Sequence, residues 1–242
     1  MKPLIHAEIY KLKRSRILLT TTILTLLALY QGWDFAKMGL SENEEEIFRG
    51  FLYQGSMAVY SWLVLPLICT IVLVMMARME HSTNSWKQLL AMPVRRRHVY
   101  LTKLSVGMGI ILYSLILLFL GMVVAAFSLG LESIPFLWMA KRFGILFISA
   151  LPIVGVIFYF CYRFSHFAVP VLIGAGLAFP SMLVANSEKY WIFYPWDYPI
   201  VSSMNDVFDM GSMNIIMMII SLVIFIMGVS IGLLRFHTKD VL

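Results

Sequence analysis

Long apolar runs alternate with short polar inserts along the whole chain. Six runs reach the roughly 20 residues that a helix needs to cross a bilayer's hydrocarbon core. They are Ile17–Phe35, Met57–Ala77, Leu104–Leu129, Phe143–Phe160, Phe167–Ala185 and Asn214–Leu234. Backbone in lipid must satisfy its own hydrogen bonds, so the runs predict helices. Membrane-spanning strands would instead show short segments that alternate residue by residue. The pattern predicts an all-α integral membrane protein, one transmembrane domain over residues 1–242, with no internal repeat.

Two inserts carry a pattern of their own. In the stretch from Ser85 to Lys103, Ser85 can cap a helix and Gln88 can close a capping box. Trp86, Leu89 and Leu90 then share one face, with Lys87 and Gln88 turned away. Met92 closes the run and Pro93 stops the helix after about two turns. Arg95, Arg96 and Arg97 follow. A helix this short is unstable alone in water, so something must hold it. It either lies on lipid headgroups with its arginines on anionic lipid, or docks in the groove of a cytoplasmic partner. Near the N-terminus, Leu4, Ile5, Glu8, Ile9 and Leu12 precede the first run and predict an amphipathic helix with Ile5, Ile9 and Leu12 on one face. Its Lys11, Lys13, Arg14 and Arg16 suit the charged surface of the inner leaflet. The basic segment is long and no small-residue cleavage site follows the first run, so a retained anchor is expected here and not a signal peptide.

Charge gives the orientation. With the N-terminus inside, 14 of the 19 lysines and arginines fall on the cytoplasmic side and 10 of the 13 acids fall outside. That bias predicts cytoplasmic N- and C-termini in a multi-pass membrane protein. Only 13 % of residues are charged, against about 25 % in soluble domains. The net charge of +6 flanks the apolar runs and forms no single face, which argues against nucleic acid as a partner. Cys69 and Cys161 fall in or beside predicted spans, which makes a disulfide framework unexpected. No span carries a charge at its middle, which argues against an ion-coupled transporter. Recurrent glycines and prolines, with Gly228 and Gly232 in small-xxx-small spacing, fit either close helix packing or flexing spans. The outer stretch from Tyr190 to Tyr198 has six aromatics in nine residues. It reads as an interfacial aromatic belt or as a surface or re-entrant helix closing a pathway.

Catalytic chemistry is not indicated. Glu44, Glu45 and Arg49 match the E-E-x-x-x-R signature of membrane-embedded CAAX-type proteases. The match falls in an outer loop, whereas His6, His81, His98, His166 and His237 are all assigned to the cytoplasmic side. No histidine or cysteine cluster has zinc spacing, and no glycine-rich loop could cradle nucleotide phosphates.

The sequence Glu8-Ile-Tyr-Lys11-Leu-Lys13-Arg14-Ser15 before a first span resembles permease subunits of ABC-2 type exporters. So does Glu80 followed by Trp86-Lys87-Gln88-Leu89-Leu90-Ala91-Met92-Pro93, then Tyr100 and Lys103. Size and the acidic first outer loop are most similar to the permeases of lantibiotic immunity transporters. The resemblance implies a separate ATPase subunit dimer that binds ATP and Mg, and a second permease, identical or different. It implies that residues 85–92 form a coupling helix contacting the ATPase, with Trp86, Leu89 and Leu90 as anchors and Glu80 and Lys87 at the rim. It also implies a cationic, lanthionine-bridged peptide as cargo, expelled from the membrane. The other readings are a permease for a drug or lipid, and a stand-alone immunity protein or CAAX-like protease.

Overall fold

The structure, a computed structural model, describes residues 2–82, 96–164, 166–187, 189–204 and 213–238. Among them every regular element is helical. The chain begins with α1 (Lys2–Arg14) and α2 (Ile17–Ala36). A helical run, α3 (Glu44–Met79), winds through two wider stretches of π-helix, Ile47–Tyr53 and Tyr60–Val64, and continues to Ser82. Then come α4 (Arg96–Ser128), α5 (Phe136–Arg163), α6 (Ala168–Gly176), α7 (Ala178–Ala185), the short α8 (Tyr198–Ser203) and α9 (Met213–Thr238).

Three helices start well before the apolar runs do. Helices are closed by backbone hydrogen bonds, so polar residues can lead them in. Asn43 does this for α3: its side-chain oxygen accepts the Glu46 N–H at 2.9 Å. The expected starts at Met57, Leu104 and Phe143 therefore move back to Glu44, Arg96 and Phe136.

By length and composition, five helices can cross a membrane: Glu44–Met79, Arg97–Ser128, Phe136–Arg163, Ala168–Ala185 and Asn214–Arg235. The expected first span, α2, falls outside that set. Its threonines, Gln31 and Asp34 lower its hydropathy. Thr20, Thr21, Thr22 and Thr25 nevertheless hide their polarity, because each hydroxyl donates to the carbonyl four residues back at 2.8–3.0 Å. The helix runs parallel to α4 for most of its length. Thr22 meets the Tyr113 hydroxyl at 2.9 Å near one end, and Trp33 Nε1 donates to Ser128 Oγ at 3.0 Å near the other.

Helix α5 sits at the centre, packed against α3, α4, α6, α8 and α9. It approaches α9 backbone to backbone: a Cβ on Gly228 would lie 2.9 Å from the Gly155 carbonyl. The Gly228 and Gly232 pair is thus used for close packing within the chain, Gly232 leaving room for the Tyr100 hydroxyl. The outward faces of α2, α7 and α9 remain apolar and exposed, as Leu19, Leu27, Leu183, Ile219 and Ile226 show. Such continuous apolar surface suits lipid and makes this a multi-pass membrane protein.

Candidate functional site

Two assemblies, one at each end of the bundle, bring buried carboxyl groups into the fold. The first joins α1 to α4. Glu8 Oε1 accepts from Lys103 Nζ at 2.7 Å, and both side chains are almost fully buried. Lys11 stands 3.5 Å from the same oxygen, one helical turn on from Glu8. The buried face of α1 is Glu8 with Leu12, and Ile5 is half-buried beside them. Ile9, expected on that face, is 45 % exposed. The geometry differs from the sequence expectation because Lys103 draws Glu8 inward, and that rotates Ile9 out. Beyond this pair the Tyr100 ring meets Phe158 and Tyr162 edge-on or tilted at 4.8 and 5.7 Å, and its hydroxyl donates to the Val229 carbonyl. At the same end Arg78 lies over the Phe167 ring.

The second assembly is built on a broken helix. Residues 168–185 form two short helices, α6 and α7, that meet at Leu177. Pro180 brings no N–H to the carbonyl four residues back, so the ladder is interrupted there. The aromatic stretch bonds to carbonyls on either side of this break. Trp196 Nε1 donates to the Gly174 carbonyl at 3.0 Å and the Tyr194 hydroxyl to the Leu177 carbonyl at 2.7 Å. From the other side Trp62 Nε1 donates to the Ala178 carbonyl at 3.0 Å. Trp191, Trp196 and Tyr198 are buried, while Tyr190 and Phe193 are exposed. Only those two match an interfacial belt; the rest of the stretch is part of the bundle.

Helix α8 follows, and all six of its residues are buried. Ser202 Oγ donates to Ser149 Oγ of α5 at 3.0 Å, and the Tyr53 hydroxyl of α3 donates to the Ser203 carbonyl at 3.1 Å. The helix begins at the last residue of the aromatic stretch and packs into the bundle, and the stretch itself carries a 3-10 turn at Trp191–Phe193. Asp197 precedes α8 and is fully buried. Neither of its carboxylate oxygens has a hydrogen-bond partner among the described residues. Desolvation pushes its carboxyl up to about 8. Burial raises the phenols of Tyr194 and Tyr198, the latter to about 12, and the nearby Asp197 carboxylate adds to it. Beside this assembly a groove of about 420 Å³ opens between α2 and α3, lined by Gln31, Asp34, Phe35, Gln54, Gly55 and Met204.

The sequence-derived candidates fall unevenly on this frame. Ser85, Trp86, Lys87, Gln88, Leu89, Leu90, Met92, Pro93 and Arg95 lie outside the described residues, and so does the helix expected there. Glu80 sits near the end of the helix that runs to Ser82, and Arg96 opens α4. Lys13 and Arg14 end α1, Arg16 and Arg97 are exposed, and Lys11 joins the Glu8 pair. Lys103 and Asp197 were not singled out as site residues. Lys103 could have been found as a lone cation just inside an apolar run, and Asp197 as an acid set among aromatics with little chance of reaching water. Among the described residues no group of three or more histidines, cysteines, aspartates or glutamates could hold a metal ion.

A family model described as ABC-2 family transporter protein matches residues 4–181. The match takes in most of α1, the Glu8–Lys103 pair and α6, and it ends within α7, before the aromatic stretch. No curated protein matches the chain.

Proposed function

This chain belongs to the ABC-2 family of transporters, and from that premise we propose that it is the permease of an ATP-driven exporter that clears a lantibiotic-type antimicrobial peptide from the bacterial plasma membrane. Membership makes it the membrane component of an ABC transporter, partnered by an ATPase subunit. The observation that carries the reading is the family match over 4–181 on a bundle whose outer faces are apolar.

In this reading the N- and C-termini are cytoplasmic and α2 is a sixth span, supported by its side-by-side run with α4. The inner end is the one that carries α1. A dimer of ATPase subunits binds ATP and Mg there and grips residues 85–92 through Trp86, Leu89 and Leu90. Exposed Ile9 and Tyr10, with the basic residues of α1, rest on the inner leaflet. A second permease, identical or different, completes the pathway. The cargo is a cationic peptide, drawn electrostatically by the acidic outer surface.

Co-purification tests this. The tagged chain, expressed in its native host and extracted in mild detergent, should bring an ABC ATPase with it. Trp86→Asp and Leu90→Asp should insert normally and lose that ATPase. A native chain that brings no ATPase sinks the exporter reading, and an ATPase retained by both variants sinks the coupling role of 85–92. Cargo is tested separately: deletion should sensitise cells to a lanthionine peptide and leave their sensitivity to uncharged drugs unchanged.

A further inference from the structure

We propose that Asp197 is a proton-binding site: its carboxyl carries a proton while α8 is seated in the bundle, and unseating α8 releases that proton to water.

A carboxylate charge buried without a partner is far costlier than a buried neutral acid. Asp197 is fully buried, and both of its oxygens lack a donor among the described residues. Its own backbone is committed to the fold, with the N–H donating to Tyr194 and the carbonyl accepting from Val201, so the side chain cannot turn to water without moving α8. Among the described residues no cation pairs with it: on α3, Arg49 pairs with Glu45 and lies over the Trp138 ring. Tyr194 and Tyr198 are the ionisable groups that sense it, and both phenol oxygens donate to backbone carbonyls of Leu177 and Ile192. Helix α5 brings Lys141 and Arg142 to this end, but Arg142 lies over the Trp138 ring and neither pairs with Asp197 among the described residues. From α3, Tyr60 is bonded to Ser114 and Tyr53 to Ser203. Helix α7 carries no titratable side chain.

The proton balance is simple. Seating converts COO⁻ and one proton from water into COOH; unseating reverses it. Protonation therefore favours the seated state. The stabilisation is complete below the ordinary carboxylate range and is lost as pH rises towards about 8. The fit with the Proposed function is that Met204, the residue after α8, lines the 420 Å³ groove, so the proton would set how readily that part of its wall moves. The proton site itself does not depend on the cargo or on the ATPase.

The test uses the full chain in lipid nanodiscs. Infrared difference spectra at pH 7 should show the C=O stretch of a protonated carboxyl. That band should shift on ¹³C-aspartate labelling of the unmutated protein and vanish in Asp197→Asn. Hydrogen exchange of residues 198–204, corrected for intrinsic rates, should quicken about tenfold per pH unit below about pH 8 and level off above it. In Asp197→Asn it should stay slow and flat with pH. Absence of a labelled carboxyl band at pH 7 overturns the proposal, as does a pH slope that survives in Asp197→Asn.

Discussion

At the α1 end of the bundle a buried carboxylate is met by a buried ammonium 2.7 Å away; at the opposite end a buried carboxyl has no hydrogen-bond partner among the described residues. The first arrangement fixes geometry, because separating the pair strands charge in a low-dielectric interior. The second tolerates a neutral group and resists a charged one. The same side-chain chemistry thus makes a joint at one end and a movable seat at the other.

The sharpest way to break the comparison is Lys103→Met. It should cost about 3–5 kcal/mol, at the low end because Lys11 remains near Glu8. Thermal unfolding in detergent and protease cutting between α1 and α2 would register it. The swap Glu8→Lys with Lys103→Glu should recover part of that loss, and failure to recover any would mean packing alone joins α1 to α4. At the other end, Trp196→Phe strands the Gly174 carbonyl and should cost about 1–3 kcal/mol, read as faster hydrogen exchange in both 174–182 and 190–204. Tyr53→Phe removes one bond to Ser203 and should cost about 1 kcal/mol, visible in 198–204 alone. Smallest of all, raising salt from about 0.15 to 1 M should barely move the stability of the α1 joint, because buried pairs are poorly screened. A large salt effect would place that pair in water.

Much of the fold was legible in the pattern of apolar runs, since five of the six expected runs lie in helices able to cross a membrane. Helix starts were less legible, because Asn43 and the glutamates after it extend α3 through capping and not through hydrophobicity. The count of spans turned on α2, whose threonines read as polar but bond to their own backbone. Glu8 and Lys103 each appeared in the motifs that resemble ABC-2 permeases, yet nothing local joins residues so far apart. Asp197 was counted among the acids of an outer surface. Its burial comes from α8 folding back, which a six-residue helix hardly announces.

The break between α6 and α7 also bears on how the protein is made. The Gly174 and Leu177 carbonyls take side-chain donors at this break, where hydrocarbon has no water to offer in their place. Their donors, Trp196 and Tyr194, lie 22 and 17 residues downstream. During synthesis α6 and α7 therefore emerge before the side chains that bond to their break, and that bonding is completed only when the aromatic stretch follows.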